Sequence, residues 1–183
     1  MKLTKKIAAL LLSAGMIASF AACGGQQTSI GADSTPQSSL QSQSVQESTQ
    51  IANPWIEAKD QTDAQEQAGF SIQLPSSLPA EYGAPSFLVI PGEIMEAYYA
   101  GTGEARLCIR KAAGTDDASG DYHEYSESRQ VTVGDLEVTM KGDDGVVSLA
   151  VWNDGTNAYS IGIYGGGGLT EEEMTQMVSE MME

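Results

Sequence analysis

The side chains in this sequence that could bind a metal ion are concentrated in one short acidic stretch. Asp116, Asp117, Asp121 and Glu124 lie close together, and carboxylate oxygens are ligands that Ca²⁺ prefers. Their spacing differs from an EF-hand loop, because Gly120 precedes Asp121 where the loop needs its glycine after the third ligand. The three aspartates are therefore candidate calcium ligands, and the sequence otherwise predicts no metal site and no cofactor.

Nucleophilic catalysis would have to use Cys108 and His123. His123 is the only histidine, and Cys108 is the only cysteine after Cys23. A catalytic thiol needs a basic partner, but neither residue lies in a recognisable catalytic motif. Cys108 is flanked by Leu107 and Ile109 in a strand-like run, so a buried and inert thiol is the favoured interpretation.

Four glycines at positions 165–168 precede a predicted helix, an arrangement that can cradle a phosphate group. That helix opens with three glutamates, which repel phosphate, and no lysine follows as in a P-loop. A flexible connector is the favoured interpretation. The many scattered carboxylates cannot be paired for glycosidic chemistry from the sequence, and no catalytic residue is predicted.

Aromatic side chains are the remaining candidates for ligand contacts. They could line a groove, but aromatic residues in strands ordinarily pack in the core, which is the favoured interpretation. The set comprises Trp55, Tyr98, Tyr99, Tyr122, Tyr125, Trp152, Tyr159 and Tyr164.

The N-terminus has the charge pattern of a secretory signal. Lys2, Lys5 and Lys6 form a positive patch, and residues 7–22 are uncharged and mostly apolar. That run is shorter than the roughly 18 residues expected of a membrane-spanning helix. It ends in small residues, as signal peptides do before their cleavage site. We therefore expect residues 1–22 to be removed on export.

Cys23 stands directly after the expected cleavage site. Phe20, Ala21, Ala22 and Cys23 resemble the bacterial lipobox, in which diacylglycerol is attached to the cysteine sulfur, although Leu usually stands at the Phe20 position. The alternative is an ordinary secretory signal with a chance cysteine. Lipidation of Cys23 with fatty acids such as palmitate would hold the protein on the extracytoplasmic face of the cell membrane, because two or three acyl chains anchor stably.

The chain that remains after cleavage would be strongly acidic. Residues 1–22 contain three of the nine basic residues and no acidic one, which leaves six basic and 25 acidic side chains and a net charge of −19. That charge argues against nucleic acid as a partner, since binding phosphates requires Lys and Arg. It also argues against docking on anionic lipid head groups, so the membrane would be reached through the lipid on Cys23.

Composition divides the exported chain into a tether and a domain. After Cys23, the residues up to position 50 are rich in Ser, Gln and Thr. Such a segment cannot bury enough apolar surface to offset its ordering entropy, so residues 23–50 are predicted to be a disordered tether that carries the lipid. Residues 51–183 are then expected to form a single domain, which is long enough for a real core.

The predicted fold class is α+β, with a curved antiparallel sheet, a short N-terminal helix and a C-terminal amphipathic helix packed on the sheet. The separators between strand-like runs are too short for crossover helices, which favours antiparallel pairing. The predicted strands cover residues 70–74, 87–90, 94–99, 106–110, 130–133, 136–140, 146–152 and 159–164.

Capping boxes predict where both helices begin. Thr62 and Gln65 would open the first helix, which Gly69 could close, and Thr170 and Glu173 would open the second. The second helix carries a methionine-rich face at helical spacing. Packing in the domain's own core is the favoured interpretation, and a promiscuous binding surface is the alternative. This face consists of Met174, Met177, Val178, Met181 and Met182.

Several motifs from residue 107 to the end resemble one known family. They are "IRKAAGTDDASGDYHEY", "VTVGDLEVTMKGDDG", "LAVWNDGTNAYSIGIYGG" and "LTEEEMTQMVSEM", while "AGFSIQLPSSLP" resembles the opening of the same domain. The family, numbered 4367, is a domain of unknown function found in Firmicute lipoproteins and at the extracytoplasmic ends of anti-sigma-factor-like proteins. It has no established activity, so the resemblance transfers no functional residue.

These observations together predict a non-catalytic binding or sensory module of the cell envelope. Its partner would be an envelope protein or another envelope ligand. Two alternatives stay open, a hydrolase-like envelope enzyme and a structural accessory subunit of a membrane complex. An enzyme would need a cleft with a group of perturbed pKa, and the sequence offers no motif for one.

Overall fold

Alternating apolar residues and tight turns fold the described part of this chain into one eight-stranded sheet with two helices. The computed structural model describes residues 52–182, so the predictions for the signal peptide, Cys23 and the tether lie outside the described residues. The elements are β1 (Ile56–Ala58), α1 (Gln61–Ala68), β2 (Ser86–Ile90), β3 (Ile94–Ala100), β4 (Arg106–Ala113), β5 (Glu127–Val133), β6 (Leu136–Gly142), β7 (Leu149–Asn153), β8 (Asn157–Tyr164) and α2 (Glu171–Glu180).

The sheet is built from two antiparallel meanders that meet in its middle. The strand order is β1-β2-β3-β4-β8-β7-β6-β5, and every neighbouring pair is antiparallel. Alternation across β8, β7 and β6 makes β5 parallel to β4, so the chain has to return along the sheet between these two strands. Residues 114–126 make that connection and are termed the crossover segment. The predicted α+β class with an antiparallel sheet is confirmed at this level.

The core lies on one face of the sheet, termed the helical face. Val89, Met95, Ile109 and Met140 from four strands are fully buried there, together with Met177 of α2. Removing such a side chain from water contributes about 1.5–3 kcal/mol to folding. The apolar residues at alternate strand positions therefore set which face of the sheet is covered by the helices.

Helix α2 begins and packs as the sequence predicts. The Thr170 side chain accepts a hydrogen bond from the Glu173 backbone N–H at 3.2 Å, and the Glu173 carboxylate accepts one from the Thr170 N–H at 2.9 Å. Met174, Met177 and Val178 are completely buried. The methionine-rich face is therefore core and not an exposed binding surface.

Helix α1 begins two residues earlier than predicted. Its N-cap is Asp60, whose carboxylate accepts a hydrogen bond from the Asp63 N–H at 2.9 Å, and not Thr62. Aspartate at an N-cap also interacts favourably with the helix dipole, which explains the preference. Gly69 adopts a left-handed conformation (φ 79°) and ends the helix, as predicted. Neither α1 nor α2 has the length and apolar character that crossing a bilayer requires.

The predicted strand at residues 70–74 is wrong, because this segment is a loop. Ile72 is buried in the core, as a strand residue would be. The carbonyls of Ser71 and Ile72, however, accept hydrogen bonds from the side chains of Lys111 and Gln61 and not from a neighbouring strand. Alternating burial thus arises here without sheet pairing. The short edge strand β1, which has two exposed residues, was not predicted.

Candidate functional site

The sheet face opposite the helices, termed the open face, carries a pocket of about 370 Å³ beneath the crossover segment. Strands β3, β4 and β8 supply its floor. Because alternate residues of paired strands share a face, the register places their side chains in three rows. The rows are Ala100–Arg106–Tyr164, Tyr98–Cys108–Gly162 and Glu96–Arg110–Ser160.

An ion pair closes one end of this pocket. Arg110 Nε lies 2.5 Å from a carboxylate oxygen of Glu96, whose side chain is 6% exposed. The same guanidinium donates to the carbonyl oxygens of Ser119 and Ala118 in the crossover segment. The ring of Trp55 lies over it, with 5.6 Å between the guanidinium carbon and the ring centroid. Arg110 therefore attaches the crossover segment to the sheet, and its charge is paired with that of Glu96.

Two glycines allow close packing around the pocket. Gly120 has a φ of 62°, and a Cβ there would lie 2.6 Å from a guanidinium nitrogen of Arg110. A Cβ at Gly162 would lie 2.5 Å from the hydroxyl of Tyr164 and 2.8 Å from its ring. The Tyr164 ring therefore lies against the backbone of its own strand, where it forms one wall of the pocket.

Arg106 lies at the other end of the pocket. Its side chain is exposed, and it makes no ion pair or side-chain hydrogen bond with another residue in the 52–182 range. Arg106 and Tyr98 also line an adjoining hollow of about 340 Å³, which continues towards Glu104 in the β3–β4 turn. A guanidinium presents five N–H donors in a planar fork that matches a carboxylate. This end of the pocket is therefore free to bind an anionic group.

The crossover segment places Asp121 and Tyr122 at the pocket. The Asp121 carboxylate accepts hydrogen bonds from the Tyr125 hydroxyl and the His123 backbone N–H, both at 2.7 Å. Burial and then the hydrogen bond to Asp121 raise the pKa of Tyr125. Burial and then the negative charge of Asp121 raise the pKa of Tyr164. Tyr122 is 95% exposed at the rim of the pocket.

The charges around the pocket balance. Its lining contains two arginines, Arg106 and Arg110, and two carboxylates, Glu96 and Asp121. The whole chain, by contrast, has a net charge of −16. A locally neutral pocket, with one arginine that no described carboxylate pairs, is thus set into a strongly acidic protein.

The structure does not bring the three candidate calcium ligands together. Asp116 and Asp117 line a hollow over β5, β6 and β7, whereas Asp121 lines the pocket described above. Asp117 accepts a hydrogen bond from the Ser119 N–H at 2.8 Å, which is local turn chemistry. Within the part of the chain that the structure describes, no group of three or more His, Cys, Asp or Glu side chains could hold a metal ion.

Cys108 and His123 do not form a catalytic pair. Cys108 lies on the pocket floor, where burial and then the charge of Glu96 raise the pKa of its thiol to about 11. A thiol with that pKa is protonated at neutral pH and is a poor nucleophile. His123 is exposed, with its Nε2 atom 3.8 Å from Asp143 and its ring edge-on to Tyr125.

The predicted aromatic set divides between the two faces of the sheet. Tyr99 is buried in the core, where burial raises its pKa to about 12. Trp152 and Tyr159 stack on the helical face, with ring centroids 5.3 Å apart. Tyr98 and Tyr164 line the pocket on the open face. Only part of the predicted set therefore belongs to the candidate site.

Sequence reasoning missed Arg106, the residue on which the candidate site depends. It lies in no motif, and it stands at the first position of a strand. The available indication was its alternate spacing with Cys108 and Arg110, which forms a polar stripe on β4.

Comparison of the chain with models of protein families, with curated proteins and with solved structures gives no match. The resemblance to the domain of Firmicute lipoproteins stays a prediction from the motifs that carry it. The function is therefore inferred from the pocket on the open face and from the N-terminal sequence.

Proposed function

We propose that this protein is a lipid-anchored, extracytoplasmic binding module of the cell envelope, and that its ligand site is the pocket beneath the crossover segment. The basic N-terminus, the apolar run of residues 7–22 and Cys23 support the anchor. The resemblance to a domain of Firmicute lipoproteins supports the same location. We also propose that the sheet is curved, since strand twist accumulates across eight strands.

The proposed binding function rests on the position of Arg106 in the pocket and on the side chains around it. This guanidinium, which has no ion-pair partner among the described residues, shares one pocket with Tyr98 and Tyr164, and the 95%-exposed Tyr122 stands at the rim. Tyrosine and arginine are enriched among the residues that dominate binding energies. A volume of about 370 Å³ also falls in the range of small-molecule sites.

Recognition suits the pocket better than catalysis. The raised pKa of Cys108 and Tyr164 keeps the thiol and the phenol protonated at neutral pH. The Glu96 carboxylate is held by Arg110 and is not available as a base. The groups that remain can donate and accept hydrogen bonds and attract opposite charges, which is the chemistry of a binding site.

The test is ligand-dependent stabilisation of the full-length protein in detergent. A ligand that binds only the folded state raises the unfolding free energy, so the unfolding midpoint should rise when the low-molecular-mass fraction of a cell-envelope extract is added. Arg106→Gln should abolish this rise. Lys59→Gln is the matched control, because it removes one positive charge from another exposed side chain that does not line the pocket.

Two results would refute this function. The extract could leave the unfolding midpoint of the wild-type protein unchanged. It could also stabilise Arg106→Gln as much as it stabilises Lys59→Gln, which would place the ligand elsewhere on the protein.

A further inference from the structure

The pocket beneath the crossover segment presents opposite charges at separate positions. Arg106 lies on the sheet, whereas Asp121 lies on the crossover segment, and tyrosine side chains line the space that they share. We infer that the ligand is a small zwitterion with an α-ammonium and an α-carboxylate group, either a free amino acid or a short peptide. This inference rests on the proposed binding function and names its ligand class.

The carboxylate would bind to Arg106. Its cross-strand neighbours are Ala100 on β3 and Tyr164 on β8, and the small Ala100 side chain cannot cover the guanidinium from its side. The charge of Arg110, in contrast, is already used by Glu96 and by two backbone carbonyls. Arg106 is therefore the arginine of the pocket that has no carboxylate partner among residues 52–182.

The ammonium group would bind to Asp121. Two hydrogen bonds, from the Tyr125 hydroxyl and the His123 N–H, hold this carboxylate in place. A carboxylate has about four lone-pair sites, so two donors leave capacity for an ammonium group. The orientation of Asp121 is thus set before a ligand arrives, which lowers the entropic cost of binding.

The balance of charge selects a zwitterion over other small ligands. A polyanion would be repelled by a chain of net charge −16. A simple cation would leave Arg106 without a partner, and a simple anion would meet the uncompensated charge of Asp121. A molecule with one positive and one negative group satisfies both residues and adds no net charge to the pocket.

The experiment is isothermal titration of the full-length protein in detergent with alanine, leucine, glutamine and tyrosine and with their dipeptides. Each compound is also tested with its amino group acetylated and with its carboxyl group amidated. At least one zwitterion should bind with saturable heat, and either modification should weaken that binding about tenfold or more, because each removes a charge-assisted hydrogen bond. Comparison of amino acids with dipeptides then identifies the source of the zwitterion.

Variants assign each charge of the ligand to its residue. Arg106→Gln should weaken binding of the zwitterion but leave the affinity for the amidated compound unchanged, because that compound has no carboxylate. Asp121→Asn should likewise weaken binding of the zwitterion but leave the affinity for the acetylated compound unchanged, because that compound has no ammonium group. The single amide oxygen of Asn can still accept from the His123 N–H, and its NH₂ group can donate to the Tyr125 hydroxyl oxygen. A melting curve checks that this variant folds. If Asp121→Asn does not fold, the titrations of Arg106→Gln with the free and amidated compounds alone decide whether the assignment holds. Lys59→Gln should behave as wild type.

Failure of this inference can be distinguished from failure of the proposed function. If no zwitterion binds, or if blocked and free compounds bind equally, the zwitterion assignment is wrong. In that case, stabilisation by envelope extract that still depends on Arg106 would leave the binding function standing. If extract and zwitterions both have no effect, both proposals are refuted.

Discussion

Arg110 of β4 donates from its Nε atom to a carboxylate oxygen of Glu96 on β3, at 2.5 Å, on the open face of the sheet. Within the described range of the chain, Glu96 is the one charged residue that is buried. The same arginine donates to the carbonyl of Ser119. One cation therefore neutralises the buried carboxylate and also holds the crossover segment that covers the pocket.

The first prediction concerns removal of that cation. Arg110→Met should destabilise the protein by about 3–5 kcal/mol, because it leaves the Glu96 carboxylate buried without a counter-charge. Urea unfolding followed by circular dichroism measures the loss.

The double variant Glu96→Leu with Arg110→Met is the matched control. It should recover most of the lost stability, since replacing a whole buried ion pair by apolar residues is often neutral. The crossover segment should nevertheless exchange its amide hydrogens faster than in the wild-type protein, because Ser119 and Ala118 lose their donor. A double variant as unstable as Arg110→Met would show that the ion pair does not cause the effect.

The second prediction concerns the methionine face of α2. Met177 is completely buried, so Met177→Asp would bury an unpaired charge and remove core contacts, at a cost of several kcal/mol. Against a total stability of about 5–15 kcal/mol, the unfolding midpoint should fall sharply, or the protein should fail to fold. Differential scanning fluorimetry is sufficient to detect this change.

Gln176→Asp adds the same charge at the neighbouring exposed position. Its side chain bonds to Glu180 four residues later, so the new like-charge pair should cost only a few tenths of a kcal/mol. Small and equal shifts for both variants would contradict the packing of α2 against the sheet.

The parts of the fold that depend on local chemistry could be predicted from the sequence. The turns around Gly134 and Gly155 mark the β5–β6 and β7–β8 hairpins, and Thr170 marks the start of α2. The pairing of β4 with β8 could not be predicted in this way, because it joins segments that are distant in sequence. The crossover segment follows from that pairing and was likewise not anticipated.

The candidate site depends on information that the sequence does not carry locally. Tyr98 and Tyr99 are consecutive strand residues and must point to opposite faces, but the sequence does not say which of the two joins the core. The contact between Glu96 and Arg110 depends on the register of the β3–β4 hairpin. Asp121 reaches the pocket only because the crossover segment lies over the open face.

The third prediction concerns acid stability and Asp154 in the β7–β8 turn. Burial by itself raises the pKa of this carboxyl, but the N–H groups of Asn157 and Thr156 and the Tyr159 hydroxyl donate to it and lower the pKa to about 2. Because the folded pKa lies below the unfolded one, the resulting stabilisation is complete above about pH 4 and is lost as the pH falls towards 2.

Asp154→Asn should therefore destabilise the protein at neutral pH, and its difference from wild type should shrink between about pH 4 and pH 2. Unfolding free energies measured across this range test the prediction. Asp135→Asn, at an exposed turn position without a side-chain hydrogen bond to another described residue, should show no such trend. A difference for Asp154→Asn that stays constant with pH would contradict this role.

The fourth prediction concerns the anchor. Cys23→Ala should abolish incorporation of a labelled fatty acid and should leave the protein either unprocessed or released from the membrane. Cys108→Ala, which changes the only other cysteine, should keep the label. Label that persists on Cys23→Ala would refute the proposed lipidation.

Hydroxyl-radical footprinting of the full-length protein in its native membranes tests the central claim most directly, because it reports which face of the sheet a ligand covers. If the ligand binds in the pocket on the open face, envelope extract should protect Tyr122, which is 95% exposed without a ligand, and Tyr98 from oxidation by hydroxyl radicals. No change is expected at Tyr159 and Met182, which pack against the core on the helical face. Protection of Tyr159 and Met182 with no protection of Tyr122 would contradict binding in this pocket.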